Sequence, residues 1–326
     1  MIGTYWDEPP ALPTKRSAMP AHQVNFVDFH ESFSPKSNSL LNSLLPYFDL
    51  KLSDKPDFLF YSVFGFNHTD PRFNRCIKIW CTEENFRPDF TRCDYALSFD
   101  HLPHEPRNLR LPLYVRYLYH HQQRTGRNLV KPPGFDAASI LQSKTRFCNF
   151  IYSNPGARTR IDFFLKLSRY KRVDSGGAIL NNLGYRPSDK LKFISPYKFT
   201  MAFENTSWPG YVTEKLVEPM LVDSLPIYWG HPSVREEFNP HSFVNCHDFS
   251  SLDEAMAEII RLDKDDQAYV NKLNQPWFEN NTENQYCKPD YLVPFFSKVF
   301  ADKPHEWDKW ANVKPINYAT EHRTFM

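Results

Sequence analysis

The chain has 326 residues, a formal net charge of +1 and 41% hydrophobic residues. This length exceeds what one hydrophobic core ordinarily serves, so two domains are expected. Because acidic and basic residues are balanced and interspersed, the composition argues against nucleic acid or another polyanion as the main partner.

The N-terminal segment lacks the apolar stretch of a secretory signal, and no run of about 18 apolar residues occurs anywhere in the chain. We therefore expect no transmembrane segment and a cytoplasmic protein, with at most peripheral contact at the inner membrane. The six cysteines are scattered without CxxC spacing. That pattern is typical of reduced, buried thiols.

In the first half, short apolar strands alternate with turns or helix-length segments, which favours a parallel α/β sheet. Residues 1–20 are rich in proline and are expected to form a lead-in. Strands are predicted at 24–29, 50–52, 58–64, 77–80 and 95–99, with a helix near 40–45. Residues 119–146 are polar, basic and interrupted by prolines, so they predict a linker that ends a first domain at 21–146.

A second α/β pattern begins near Phe147 and predicts a domain at 147–300. Helices are predicted at 160–169, from Tyr211 onward, at 252–262 after a capping box, and at 265–273, with strands at 199–203 and 225–229. Residues 301–326 form a tail, which is expected to run back over the first domain or to lie loose.

Polar side chains gather in the stretch Tyr197–Gly230, where two of the predicted strands end. Asn205 follows the first strand, and Tyr211, Glu214 and Lys215 open the next helix. In an open α/β sheet, ligands bind outside the carboxyl ends of the strands. Amide, phenol, carboxylate and ammonium groups at that edge suit a sugar attached to a diphosphate.

The same stretch carries a family resemblance. The segments AFENT, GYVTEK and LPIYWG, in this order and spacing, resemble the signature of the α1,3/4-fucosyltransferases that use GDP-fucose. The upstream segments CDYALSFD, LPLY and SNPGARTRIDFF also match, and the likeness covers residues 22–300. The resemblance implies a GT-B fold, in which two Rossmann-like α/β domains bind the acceptor (first domain) and GDP-fucose (second domain) on either side of a cleft.

The resemblance also implies an activity of a bacterial type. An inverting enzyme would move L-fucose from GDP-β-L-fucose to GlcNAc of a β-galactoside oligosaccharide, forming a Lewis-type α1,3 or α1,4 linkage in protein or lipopolysaccharide glycosylation. No cofactor or metal is obligatory in this scheme, although Mn²⁺ or Mg²⁺ would be able to stimulate release of GDP. The alternatives are a transferase for another nucleotide sugar and a catalytically silent carbohydrate-binding protein on the same scaffold. A dinucleotide enzyme is disfavoured because no GxGxxG follows a strand.

Sugar transfer needs positive charge at the leaving diphosphate and a base at the attacking hydroxyl. Lys215 and Arg160 are the predicted cations, with Arg158 as the competing arginine, and the resemblance assigns diphosphate contacts to the first two. Glu84 is the predicted base. Glu83 stands where the family usually has glycine, which leaves open which of the two carboxylates faces the cleft.

The remaining predicted site residues line the donor and acceptor sides. By resemblance, Asn205 and Tyr211 contact the diphosphate or nucleotide, and Glu214 binds a ribose or fucose hydroxyl and helps to stabilise positive charge on the sugar. Helix capping for Asn205 and Glu214, and core packing for Tyr211, are the structural alternatives. Asn67 and His68, which follow a predicted strand, are expected to help hold the acceptor. No metal site is predicted, and the DxD sequence at 263–265 is expected to be a solvated turn.

Overall fold

A computed structural model describes residues 20–120, 124–314 and 316, so nearly all of the predicted lead-in and residues 315 and 317–326 of the predicted tail lie outside the described residues. The first half forms a parallel sheet in the order β2-β1-β3-β4-β5-β6. Its strands are β1 (His22–Val27), β2 (Leu50–Leu52), β3 (Phe58–Tyr61), β4 (Ile77–Cys81), β5 (Tyr95–Ser98) and β6 (Asn108–Arg110).

The second half forms another parallel sheet, in the order β11-β10-β9-β7-β8. Its strands are β7 (Arg146–Phe150), β8 (Val173–Ser175), β9 (Tyr197–Phe203), β10 (Leu225–Trp229) and β11 (Val244–Asn245). The central strands are buried along their whole length, which is why they read as continuous apolar runs rather than as alternating patterns.

Helices connect the strands and cover the sheets. They are α1 (Ser39–Leu44), α2 (Leu113–His120), α3 (Ala137–Ser143), α4 (Arg158–Tyr170), α5 (Lys190–Ile194), α6 (Glu214–Met220), α7 (Leu252–Lys264), α8 (Asp266–Leu273) and α9 (Val293–Val299). The expectation of two α/β domains is confirmed by this arrangement.

The two halves meet through α2 and α6. The backbone N–H of Tyr114 donates to the carbonyl of Val212 at 3.1 Å, and the hydroxyl of Tyr117 donates to the Glu218 carboxylate at 3.0 Å. Because the contact includes backbone as well as side chains, it fixes how the loops of the two sheets face each other.

The sequence located the long apolar strands well and the short polar elements poorly. The strands predicted at 50–52 and 225–229 are found with those bounds, whereas the strand predicted at 58–64 ends at Tyr61. Strand β8 was not predicted, because a three-residue VDS strand carries almost no apolar signal. Part of the predicted linker forms α3, and it packs on the second domain, where Ala137 N–H donates to Asn274 at 3.3 Å.

The segment from α9 to Trp310 returns to the first sheet. The ring of Phe300, just after α9, lies 4.9 Å from that of Phe58 in β3, and Trp310 Nε1 donates to the Cys76 carbonyl at 3.0 Å. Helix α9 therefore packs on the first domain although it lies within 147–300 in sequence.

Three smaller expectations concern the cysteines, the membrane and the DxD sequence. All six cysteines are buried and free, as predicted. Among the described residues, no helix has both the length and the apolar character needed to cross a membrane. The expected solvated turn at 263–265 is wrong, because the Asp263 side chain is only 4% exposed and accepts the Tyr170 hydroxyl at 2.9 Å and Lys171 at 3.0 Å.

Candidate functional site

The second sheet presents polar side chains where β9 and β10 end. Phe203 and Trp229 are the last residues of these paired strands, and Glu204 and Asn205 follow β9 directly. A Cβ atom on Gly230 would lie 2.5 Å from Cγ of Glu204. Glycine at this position therefore allows the two strand ends to pack closely and fixes where Glu204 lies.

Glu204 is a fully buried carboxylate that holds the start of α6. Its oxygens accept the backbone N–H of Thr213 at 2.8 Å and the Thr213 hydroxyl at 2.8 Å. Burial raises the pKa of Glu204, and the charge of Lys215 opposes that shift. Helix α6 begins at Glu214 and not at Tyr211 as predicted, since Thr213 has extended backbone angles and caps the helix with its side chain.

Lys215 is a cation shared by two carboxylates. Its Nζ lies 3.1 Å from Glu204 and 3.3 Å from Glu214, and it donates to the Thr213 hydroxyl at 2.9 Å. Burial lowers the pKa of Lys215, but the charges of Glu204 and Glu214 raise it by more, so the net shift is upward. The ammonium therefore stays charged at neutral pH. The Glu204 side chain is 0% exposed and that of Glu214 is 34% exposed; Glu214 is therefore the partner that can exchange for another anion.

Arg160 is a buried arginine in the first turn of α4. Its Nη1 donates to Oδ1 of Asn205 at 2.9 Å and its Nη2 to the carbonyl of Asn154 at 3.0 Å. The guanidinium lies 4.2 Å from the centre of the Tyr152 ring, and its Nε has no hydrogen-bond partner among the residues that the structure describes. Burial lowers the pKa of Arg160, but an arginine stays charged at neutral pH. A buried cation with an unused N–H is suited to an incoming anion.

Glu84 approaches this group from the loop after β4 in the first sheet. Burial raises the pKa of Glu84, Lys215 lowers it, and Glu83 and Glu214 raise it. Glu84 is exposed to solvent, but enough protein lies around its carboxylate to raise its pKa by desolvation. A side chain on the wall of a cleft has both properties. Glu83 lies 3.3 Å from Arg116 with a side chain 61% exposed. Glu84 is therefore the carboxylate that faces the second sheet.

Two side-chain contacts join the loop after β4 to the loop after β9. Asn85 Nδ2 donates to the Thr206 hydroxyl at 2.8 Å. The guanidinium of Arg87 lies 4.2 Å from the centre of the Trp208 ring and pairs with Asp100 at 2.8 Å. We call the contacts of Asn85, Thr206, Arg87 and Trp208 the interloop clasp. It holds the two loops of the candidate site in one relative position.

Tyr211 is buried where the two sheets meet. Its ring lies 5.2 Å from that of Phe99, and Leu113 completes the cluster. Gly210 has a φ of +81°, and a Cβ there would lie 2.3 Å from the Phe99 carbonyl oxygen, so only glycine fits. Burial and then Glu204 raise the pKa of Tyr211. The ring thus packs between the domains, while its hydroxyl lies near the charged group.

The predicted acceptor residues Asn67 and His68 follow β3. His68 is buried, with Nδ1 2.6 Å from the Asp28 carboxylate and its ring stacked 4.4 Å from that of Tyr61. Asp28 also accepts the backbone N–H groups of Asn67 and His68 at 2.8 Å each. His68 therefore stabilises the loop after β3 through buried contacts, whereas Asn67 is exposed. The His68 side chain bonds Asp28 and not Glu84 or a predicted donor-side residue.

Within the described residues, His101, His231 and Glu237 form a group whose potential ligand atoms lie within 4.8 Å of one another. The Nδ1 atom of His231 accepts the backbone N–H of Gly210 at 3.0 Å, so the neutral ring carries its proton on Nε2, 3.7 Å from Glu237. Burial and Arg110 lower the pKa of His231 to about 3, and Arg110 pairs with Glu237 at 2.5 Å. This group joins the two halves as an ion-paired contact, and its charge and proton placement do not suit a cation.

Sequence reasoning missed Lys190 and Tyr152. Lys190 forms an ion pair with Glu218 in α6. Burial raises the pKa of Glu214, but the charges of Lys215 and, from its pair with Glu218, Lys190 lower it below its ordinary value. Tyr152, beneath Arg160, comes shortly after the end of β7 and so lies at the edge where ligands bind. That position was a usable signal. Lys190 gave none, because it follows a long irregular loop after β8.

Comparisons with known proteins agree on one family. The model of the alpha-(1,3)-fucosyltransferase FucT N-terminal domain matches residues 24–117, and that of the glycosyltransferase family 10 (fucosyltransferase) C-terminal region matches residues 141–288. Alpha-(1,3)-fucosyltransferase FucT of Helicobacter pylori is 35% identical over 272 residues, which are 74% of this chain and 57% of that protein. Alpha-(1,3)-fucosyltransferase B of Drosophila melanogaster is 32% identical over 131 residues, 36% of this chain and 29% of that protein. The chain thus spans only about half the length, or less, of these relatives.

A solved structure extends the likeness to the fold. The crystal structure of an alpha1,3-fucosyltransferase with GDP-fucose matches with a TM-score of 0.75 and 27% identity, covering 90% of this chain and 95% of that one. The expected GT-B fold is confirmed by this match and by the two parallel sheets. With family models matching both halves of the molecule, the chain belongs to the fucosyltransferases of glycosyltransferase family 10.

Proposed function

We propose that this protein is an inverting fucosyltransferase. It would move L-fucose from GDP-β-L-fucose to a hydroxyl of GlcNAc in a β-galactoside oligosaccharide, forming an α1,3 or α1,4 linkage. The observation that carries the proposal is the 2.8 Å hydrogen bond from Asn85, the neighbour of Glu84, to Thr206. It brings the loop of Glu84 against the loop that leads to Glu214 and Lys215, whose charges act on the pKa of Glu84. The first domain, 21–146, would bind the acceptor and the second, 147–300, the donor.

In this proposal Glu84 is the general base. Burial moves the pKa of Glu84 upward, toward neutral pH. A base with a pKa nearer to the working pH is still largely ionised and takes up a proton more readily. The acceptor hydroxyl would give its proton to Glu84 as its oxygen attacks the anomeric carbon from the face opposite GDP. Direct displacement needs one base and no covalent intermediate, and Glu84 would be that base.

Lys215 and Arg160 would stabilise the leaving diphosphate. Arg160 has an unused Nε–H and bonds Asn205, so phosphate oxygens would meet a preformed donor set. Lys215 is already paired with two carboxylates. Donor binding would replace its contact with Glu214, the more exposed partner, and free that carboxylate to accept a ribose or fucose hydroxyl and to stabilise positive charge on the sugar ring.

A product assay tests the donor, the acceptor and the reaction together. The protein is incubated with a panel of nucleotide sugars and with N-acetyllactosamine or lacto-N-biose, with and without a chelator, and products are identified by mass and linkage. We expect fucose to be transferred from GDP-fucose alone, with inversion. Transfer of a different sugar would identify another nucleotide-sugar transferase, and binding of the acceptor without any product would identify a carbohydrate-binding protein.

A pair of variants tests the base. Glu84→Gln should lower kcat by about 10²–10⁴-fold, the range for loss of a general base, and calorimetry should show nearly unchanged GDP affinity. Glu83→Gln is the matched control, because Glu83 is the adjacent carboxylate and pairs with Arg116. Equal losses in the two variants, or wild-type turnover in Glu84→Gln, would remove Glu84 from the mechanism.

A further inference from the structure

Two exposed phenylalanines lie two positions apart in the loop after β3. Phe64 and Phe66, on either side of Gly65, are each 47% exposed. Single exposed apolar side chains are ordinary on protein surfaces, but neighbouring ones beside a cleft indicate a binding surface. We call these two rings the phenylalanine platform.

The backbone beneath the platform is fixed by Asp28. The Phe64 N–H donates to the Asp28 carbonyl at 2.9 Å, and the Asn67 N–H donates to the Asp28 carboxylate at 2.8 Å. A Cβ on Gly65 would lie 2.5 Å from the same carboxylate, so the turn packs closely against this residue. The two rings are therefore presented by a backbone that is held on both sides, which lowers the entropy lost when a ligand binds.

The platform lies beside the proposed base. Strands β1, β3 and β4 are neighbours in the sheet, and their carboxyl ends lead to His30, Phe64 and Glu84 respectively. The His30 ring lies 5.4 Å from that of Phe64. His30 is also close enough to Glu84 for its charge to lower the pKa of that carboxylate. The surface from Glu84 through His30 to Phe64 is thus continuous along one edge of the first sheet.

We propose that the phenylalanine platform binds the galactose ring of the acceptor while the GlcNAc hydroxyl lies at Glu84. This inference rests on the proposed function and names the part of the acceptor that the first domain holds. A galactopyranose has one face made mainly of C–H groups, and aromatic rings provide a matching apolar surface without competing for the hydroxyls. The platform would select a disaccharide over GlcNAc alone.

Kinetics with acceptors of two sizes test the platform. In Phe64→Ala and Phe66→Ala, KM for N-acetyllactosamine should rise about tenfold, equivalent to about 1.4 kcal/mol. KM for GlcNAc and the GDP affinity should stay within about twofold of the wild type, a change of about 0.4 kcal/mol. Phe64→Tyr keeps the ring and should restore the disaccharide KM. Leu165→Ala is the matched control, since Leu165 is also 47% exposed but lies on α4 of the second domain.

A direct binding titration with N-acetyllactosamine separates this inference from the proposed function. If wild-type protein binds the disaccharide and Phe64→Ala does not, the platform stands even where no fucose is transferred. If transfer occurs with the same KM for the disaccharide in wild type and both alanine variants, the platform is wrong and the proposed function stands. Equal losses with both acceptors would also overturn it, because they would show that the rings support the loop and do not bind galactose.

Discussion

The two edges that form the candidate site are built differently. At the second sheet, the charged groups are mostly buried and already bonded: Arg160 is 1% exposed, Glu204 is 0% exposed, and Lys215 has two carboxylate partners. At the first sheet, Glu84 and the phenylalanine platform keep exposed surfaces. Under the proposed function, the second sheet binds the donor with side chains that already hold their positions before substrate binds. The first sheet binds the acceptor glycan on an exposed surface.

The largest effect should come from breaking the bonded edge at Lys215. Lys215→Met leaves Glu204 buried without its cation, and removing one partner of a buried pair costs about 3–5 kcal/mol. The free energy of unfolding, from denaturant titration, should fall by that amount, and GDP affinity measured by calorimetry should fall with it.

The double variant Lys215→Met with Glu204→Gln separates stability from binding. It removes the orphaned buried charge, so most of the lost stability should return, while GDP binding should stay weak because no ammonium is present. Recovery of GDP affinity together with stability would show that Lys215 acts only by holding Glu204 and the start of α6.

A smaller loss of GDP affinity should follow from Arg160→Lys. A lysine keeps the charge but cannot bond both Asn205 and Asn154 while presenting a further N–H to phosphate. Loss of one charge-assisted hydrogen bond costs about 1.5–3 kcal/mol, so GDP affinity should fall at least about tenfold. Arg158→Lys, two residues earlier on the exposed face, should leave calorimetric affinity unchanged. If the Arg158 variant showed the larger loss, the assignment of the phosphate arginine would move to that residue.

At the exposed edge of the first sheet, Glu84 should determine how kcat/KM depends on pH. A base must be ionised, so kcat/KM falls as the pH drops through the raised pKa of Glu84. Glu83 raises that pKa, so Glu83→Gln should move the acid limb of the profile to lower pH. Glu105→Gln, which removes an acid from the same domain, should leave the limb in place. An acid limb unmoved by Glu83→Gln would mean that another group controls it.

Local sequence was sufficient for the parts of the site that lie within one continuous stretch. The residues from Phe199 to Lys215 form a strand, a turn and a helix, so their spacing already brought Asn205, Glu214 and Lys215 to one edge. Arg160 could be added because its helix follows another strand of the same sheet. The family signature strengthened these assignments.

Contacts between distant segments were not readable in the same way. His68 follows a strand, as a binding residue often does, but its pairing with Asp28 depends on a neighbour forty positions away. Lys190 is the first residue of α5, which follows a loop without periodicity. Asn85 and Thr206 are separated by 121 positions, and neither residue carries a local pattern that would pair them. Such contacts arise from how the two sheets face each other, which no single segment specifies.

The smallest expected effect concerns the interloop clasp, which joins the loop after β4 to the loop after β9. Thr206→Val removes the oxygen that accepts the hydrogen bond from Asn85. The loss of one such bond is worth about 0.5–1.5 kcal/mol, which corresponds to a few-fold to about tenfold change in a rate or an equilibrium constant. If the clasp positions Glu84, kcat should fall by this factor with GDP affinity unchanged, and Thr206→Ser should restore kcat.

The control variant Tyr114→Phe removes a different hydrogen bond, the one that Asn284 donates at 2.7 Å, and should leave kcat unchanged. A fall in thermal stability without a fall in kcat would show that the clasp only holds the domains together. The two edges would then be aligned by the remaining contacts between the halves, which include the α2–α6 contact, the Arg110–Glu237 pair and the packing of Tyr211 on Phe99.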